Sequence, residues 1–187
     1  MSVSLRRLKA GDEQVVGEIV SRFKSRHVSP ESAARFVADA RHYVFVAEAG
    51  GEIAGFLLAY RLERLDGDAP QLFVYELEVA PRHRRRGVGT LLIARVREVV
   101  QHEAMREAFV ITDHDNVGAV ALYRKSGGYA ESESSIVFVY PGRRAWGEAG
   151  PGCNVFAGSD PMLGSGDCAA RVAAPSLIPA SATRKDP

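Results

Sequence analysis

Leu77-Glu78-Val79-Ala80-Pro81-Arg82-His83-Arg84-Arg85-Arg86-Gly87-Val88-Gly89-Thr90 is the stretch on which the fold of this 187-residue chain turns. An apolar strand pattern ends at Val79, and Pro81 stops pairing because it has no N–H to give. An arginine-rich loop follows. Gly87 then opens a long helix, Gly87–His102, with Val88, Leu91, Leu92, Val96 and Val99 at helical spacing. A strand, a glycine loop and a helix start together make an anion site, because free backbone N–H groups and the positive dipole end converge there. Gly87 and Gly89 withhold side chains that would keep a phosphate away, and Arg82, Arg84, Arg85 and Arg86 raise the local potential. A solvated basic loop is the plainer alternative. A dinucleotide or nucleoside triphosphate loop is disfavoured, since there is neither a third glycine at the required spacing nor a Gly-Lys-Ser/Thr.

Upstream, Val3–Leu8 reads as a strand and Glu13–Phe23 as an amphipathic helix. Ser29-Pro30-Glu31 sets a cap, a proline and an acid in the order a helix start prefers, so a second helix is expected over Glu31–Arg41. Tyr43–Glu48 and Ile53–Leu62 read as strands joined by a hairpin at Gly50-Gly51, and Gln71–Val79 as the next strand. Downstream, Phe109–Thr112 reads as a short buried strand, Asn116–Ser126 as a helix closed by Gly127-Gly128, and Ile136–Tyr140 as a last strand. The order is that of a mixed α/β layout with a central antiparallel hairpin.

Composition bounds the rest. Charged residues are 25% and the formal net charge is +1, which argues against a general nucleic-acid binder. No apolar run approaches the roughly 20 residues of a membrane helix, and Met1–Arg7 lacks an apolar leader, so a cytoplasmic protein without membrane contact is expected. After Pro141 Gly, Ala, Pro and Ser dominate, and residues 1–141 read as the domain with 142–187 as a loosely ordered tail. Cys153 and Cys168 lie in that tail and read as incidental thiols. No histidine accompanies them, and no metal is expected.

Val79-x-Pro81-x-x-Arg84-x-x-Gly87-x-Gly89 resembles the acetyl-coenzyme A motif of the GNAT N-acetyltransferases. Asn116-Val117-Gly118-Ala119-Val120-Ala121-Leu122-Tyr123-Arg124-Lys125-Ser126-Gly127-Gly128-Tyr129 resembles that family's second hallmark, an asparagine opening a helix that ends in Leu-Tyr-x-Lys-x-Gly. Gly118 stands where many relatives have proline or alanine. The likeness spans residues 3–140 and implies the GNAT fold, a mixed, mostly antiparallel sheet flanked by helices. A finer resemblance is to the aminoglycoside 3-N-acetyltransferases of type I, through Val74–Val79, His83-Arg84-Arg85, Asp113-His114 and Ala119–Tyr123. Those relatives usually carry aspartate at the position of Glu76 and a further acid near Asn116 and Val117.

The resemblance implies acetyl-coenzyme A as cofactor. Its phosphates would lie on Arg84, Arg85, Arg86, Gly87, Val88, Gly89 and Thr90. Its pantetheine arm would lie on the backbone of Leu77 and Val79 and on Asn116. It also implies Tyr123 as proton donor to the leaving thiolate and Glu76 as the base for the substrate ammonium. Packing, salt bridging and helix capping are the plainer roles for Tyr123, Glu76 and Asn116. By strand alternation Glu76 faces away from Tyr75 and Leu77, and Glu78, on the side away from Tyr75, is the reserve base. Asp113 and Asp115 with Glu76 would make an acidic pocket suited to a polycationic amine, and Asp66 and Asp68 would extend its rim. His114 reads as a surface residue. The expected activity is acetylation of an amino group of an aminoglycoside, at the 3-position, giving antibiotic resistance. A polyamine or a protein N-terminus is the nearest other substrate, and a catalytically idle cofactor-binding domain the other class. The oligomeric state stays open, with a homodimer among the outcomes.

Overall fold

A computed structural model describes residues 2–130, all but the last of them in the compact unit Met1–Tyr129. The expected strand Ile136–Tyr140 and the tail 142–187 lie outside the described residues. Five strands order as β1-β2-β3-β4-β5: β1 Val3–Arg7, β2 His42–Ala49, β3 Glu52–Leu62, β4 Gln71–Val79 and β5 Glu107–Val110. The first four pair antiparallel, and β5 joins β4 in parallel. The helices are α1 Glu13–Lys24, α2 Pro30–Ala38, α3 Val88–His102 and α4 Val117–Lys125. Among the described residues no helix is long and apolar enough to cross a membrane.

The two sheet faces have separate cores. On one, Tyr43, Phe45, Leu57, Leu72 and Val74 pack under Val88, Leu92, Val96 and Val99 of α3. On the other, Val44, Val46, Phe56 and Leu58 pack under Val16 and Ile19 of α1 and Ala33 and Val37 of α2. α1, α2 and α3 thus each bury a stripe at three- or four-residue spacing, which their sequences carry.

Local chemistry explains most boundaries. Gly50 and Gly51 both take positive φ, 62° and 78°, as a two-residue hairpin turn requires. The Ser29 side chain accepts from the Ser32 N–H at 3.2 Å, with Pro30 in the first turn of α2. That helix stops at Ala38, short of the expected Arg41. Asp39 is extended, and its carboxylate accepts from the Arg41 N–H at 2.9 Å, so a side-chain turn replaces the next helical turn. β5 lies earlier than expected and is half-buried, because pairing begins where the Arg106 N–H donates to the Pro70 carbonyl at 2.9 Å.

Gly55 lies where β3 and β4 leave no room for a side chain. A Cβ there would lie 2.7 Å from the Glu78 carbonyl oxygen and 3.2 Å from Cγ1 of Val88. A backbone oxygen cannot move aside as a flexible side chain can. Gly55→Val is therefore expected to cost about 2–3 kcal/mol of stability, the upper part of the overpacking range, as read by urea unfolding. An unchanged midpoint would show that the two strands separate freely.

Candidate active site

Parallel pairing between β4 and β5 runs only from Gln71 to Val74. From Glu76 to Val79 the strand keeps its β3 partner, and among the described residues Tyr75–Val79 has no β5 partner, so that edge of β4 offers free backbone groups. A bulge in the β3–β4 register accompanies the separation: Leu58 pairs with Glu76 and Ala59 with Val74, which leaves Tyr75 as the extra residue. The extra residue shifts the alternation. Leu72 and Val74 before it, and Leu77 and Val79 after it, all pack on the α3 face. Tyr75 packs on Tyr60 and Phe73, with ring centroids at 5.5 and 5.9 Å. Tyr60 in turn meets His42, which lies against Phe36 of α2. Tyr75 therefore shares the α1/α2 side with Glu76 and Glu78. The expectation that Tyr75 opposes both glutamates is overturned, because simple alternation does not survive a bulge.

Glu76 and Glu78 meet on one cation that sequence reasoning missed. The Lys24 ammonium donates to Oε1 of Glu76 and, at 2.6 Å, to Oε1 of Glu78. Nothing in the sequence pairs a lysine at the end of α1 with strand residues more than 50 positions on; only the packing of α1 on the sheet does so. Beside this trio lies a cavity of about 280 Å³, lined by Val16, Ile19, Ala33, Phe36, Phe56 and Leu58 as well as Lys24 and Glu76.

At the end of β4 a short 3₁₀ turn, Pro81–His83, leads into the arginine loop. Gly87 takes φ 83° as the N-cap of α3, and Arg85 is left-handed too, at φ 59°. No side chain caps α3, and its first internal bond runs from the Leu91 N–H to the Gly87 carbonyl at 3.0 Å. The N–H groups of Val88, Gly89 and Thr90 are therefore open donors, as the first turn of a helix dictates. The arginines differ. Arg82 pairs with Glu52, which also holds Arg22 at 3.1 Å, and Arg84 Nε donates to the Val79 carbonyl at 3.1 Å. Arg85 and Arg86 are exposed and make no ion pair among the described residues.

Gly89 has a contact that sequence reasoning did not foresee. A Cβ on it would lie 3.0 Å from Cδ2 of Leu122, so the glycine admits α4 against the start of α3. Gly87, by contrast, has open space where a Cβ would stand, and its positive φ is what selects glycine.

His83, not singled out as a functional residue by the sequence, is only 6% exposed, and its Nε2 has no hydrogen-bond partner among the described residues. Burial, then the nearby Arg82, Arg86 and Arg22, push its pKa below the usual histidine value. The unfolded chain then binds the proton more readily, so stability falls as pH drops through the unfolded value of about 6.5. The wild-type Tm is expected to fall more between pH 7.5 and 5.5 than that of His83→Leu. Parallel pH profiles for the two would mean that His83 charges freely in the folded protein.

On α4, Asn116 Oδ1 accepts from the Ala119 N–H at 3.2 Å, so capping is the role the geometry displays. Tyr123 is half-buried, and burial raises its phenol pKa, which keeps the proton on at neutral pH. Asp113, His114 and Asp115 are exposed in the loop before α4, and no contact joins either aspartate to Glu76 among the described residues. Asp66 and Asp68 pair with Arg64 and Arg106, so their charges are already matched.

The profile of the acetyltransferase (GNAT) family matches residues 14–129. The chain belongs to that family. Among solved structures, an aminoglycoside acetyltransferase from an uncultured soil metagenomic sample, in complex with trehalose, is 25% identical with a TM-score of 0.69, covering 74% of this chain and 95% of that one. A ribosomal-protein-alanine N-acetyltransferase from Brucella melitensis is 17% identical with a TM-score of 0.61, covering 75% and all of the other chain, a likeness of fold. Among curated proteins, rat N-acetyltransferase 8 is 27% identical over 99 residues, 53% of this chain and 45% of that protein. The probable N-acetyltransferase HLS1 of Arabidopsis thaliana is 30% identical over 69 residues, 37% of this chain and 17% of that protein. The chain thus spans less than half the length of these curated relatives. GNAT acetyltransferases use acetyl-coenzyme A. The open donors of α3 and the free edge of β4 suit the pyrophosphate and the amide arm of such a ligand.

Proposed function

We propose that this GNAT domain, residues 1–141, is an acetyl-coenzyme A-dependent N-acetyltransferase acting on an amino group of aminoglycosides, at the 3-position, and that it confers resistance from the cytoplasm. The observation that carries the reading is the free edge of β4, Tyr75–Val79, with Glu76 and Glu78 beside it and the uncapped start of α3 at its end. The likeness to the soil aminoglycoside acetyltransferase supports the substrate class.

The bound cofactor supplies an acetyl thioester, and this chain's residues do the rest. Arg84, Arg85, Arg86 and the N–H groups of Val88, Gly89 and Thr90 hold the phosphates, with Gly87 turning the backbone toward them. Free backbone groups around Leu77 and Val79 align the arm, and Asn116, its oxygen engaged in the cap, offers its amide N–H. Glu76 accepts a proton from the substrate ammonium, so that the amine is neutral when it attacks. Tyr123 keeps its proton at neutral pH and gives it to the departing thiolate. Glu78, Asp113 and Asp115 add negative potential for a cationic substrate.

A thiol-release assay with purified full-length protein tests this against aminoglycosides, spermidine and model peptides. Aminoglycoside-dependent release, with acetylation mapped to the 3-amino group by NMR, is the expected result. Release with spermidine or a peptide alone would move the substrate to a polyamine or a protein N-terminus. Coenzyme binding without release would make the domain a cofactor-binding module.

A further inference from the structure

The Lys24 ammonium occupies the place that the proposed function gives to the substrate's amine. It bonds Glu76 and Glu78 together, the two carboxylates on the free stretch of β4. Its partial exposure is 35%, against 21% and 38% for the glutamates, so the trio meets water and its bonds can exchange. We propose that Lys24 is a tethered stand-in for the substrate ammonium, which must swing aside before a cationic amine can bind, and so sets the affinity of the site. The inference rests on the reading of Glu76 and Glu78 as the amine site.

Three features of the structure support it. Lys24 is the last residue of α1, and Ser25 turns the chain away in a left-handed conformation, so the ammonium hangs from a fixed point on a flexible four-carbon stem. A tethered group acts at a local concentration in the mM range, so a substrate present at lower concentration competes at a disadvantage. An aromatic face also lies within reach of the displaced ammonium. Its Nζ already lies 5.9 Å from the centroid of the Phe56 ring, whose face attracts a cation. With Lys24 in place the trio carries one net negative charge, and with it aside two. The site therefore becomes more attractive to a cation only as the lysine leaves.

The test is calorimetric titration of sisomicin, and separately of spermidine, into the full chain and its Lys24→Met and Lys24→Gln variants, with Glu76→Gln alongside. Removing the stand-in is expected to tighten amine binding about fivefold at low salt, the ratio that corresponds to the strong end of exposed ion pairs. The gain should fade at high salt. In turnover, KM should fall while kcat changes less, a split that a merely structural lysine would not produce. Binding that is unchanged or weaker in folded Lys24 variants, while Glu76→Gln weakens it, overturns the stand-in role and leaves the amine site intact. Binding indifferent to both Lys24→Met and Glu76→Gln overturns both readings, since the amine then sits elsewhere. Failure of both Lys24 variants to unfold cooperatively would make Lys24 a structural counter-ion and overturn the proposal as well.

Discussion

Glu76→Gln is expected to lower the turnover number by about 10²–10⁴, the range for losing a general base, with cofactor binding unchanged. The amide keeps the shape of the carboxylate, and Lys24 keeps its 2.6 Å bond to Glu78, so the local packing has a second anchor. The defect should shrink as pH rises, because more of the amine is then neutral without help. Electrostatic attraction alone leaves a different pattern: KM for the aminoglycoside rises, turnover barely moves, and added salt masks the difference. Measuring both constants against pH at two ionic strengths separates the roles. Wild-type values for both would remove Glu76 from the reaction and transfer the base to Glu78 or Asp113.

Gly89→Val is expected to raise KM for acetyl-coenzyme A by about 5–150-fold. A Cβ at this position already lies 3.0 Å from Leu122, and valine adds two methyl groups to that contact. The start of α3 and the Leu122-Tyr123 end of α4 must then part. That separation tilts the N–H donors of Val88, Gly89 and Thr90 and moves Tyr123 with them. Overpacking of this kind costs about 1–3 kcal/mol, which as lost binding is a factor of roughly 5–150. Calorimetry of coenzyme A on the folded variant checks it. Undiminished affinity would place the phosphates away from α3. Gly87→Ala offers a contrast, since its side chain meets open space and its cost arises from the positive φ alone.

The candidate cofactor site was more legible in the sequence than the candidate amine site, and particular residues show why. The positive φ of Gly87 and the Asn116 cap on a residue three positions away follow from local order, and the run of arginines is read directly. Glu76 was found as a carboxylate near the end of β4, but its company was not. The bulge at Tyr75 carries no composition signal, and it reverses the side on which each later residue would fall by counting. The separation of β4 from β5 after Val74 depends on where two distant segments stop pairing. α2 ended early because Asp39 captured the Arg41 N–H, a competition between side chain and helix that a periodic pattern does not reveal.

By itself the sequence determined the order of strands and helices among the described residues, the glycine turn that opens α3 at Gly87 and membership of a recognisable family. Each depends on short-range matters: apolar period, caps, glycine's positive φ and the free donors of a helix start. Only the tertiary structure decided that Tyr75, Glu76 and Glu78 share one side, that Lys24 sits on both carboxylates, and that Gly89 faces Leu122. These are meetings between segments brought together by register and packing, and a single displaced residue in a strand changes which side chains meet.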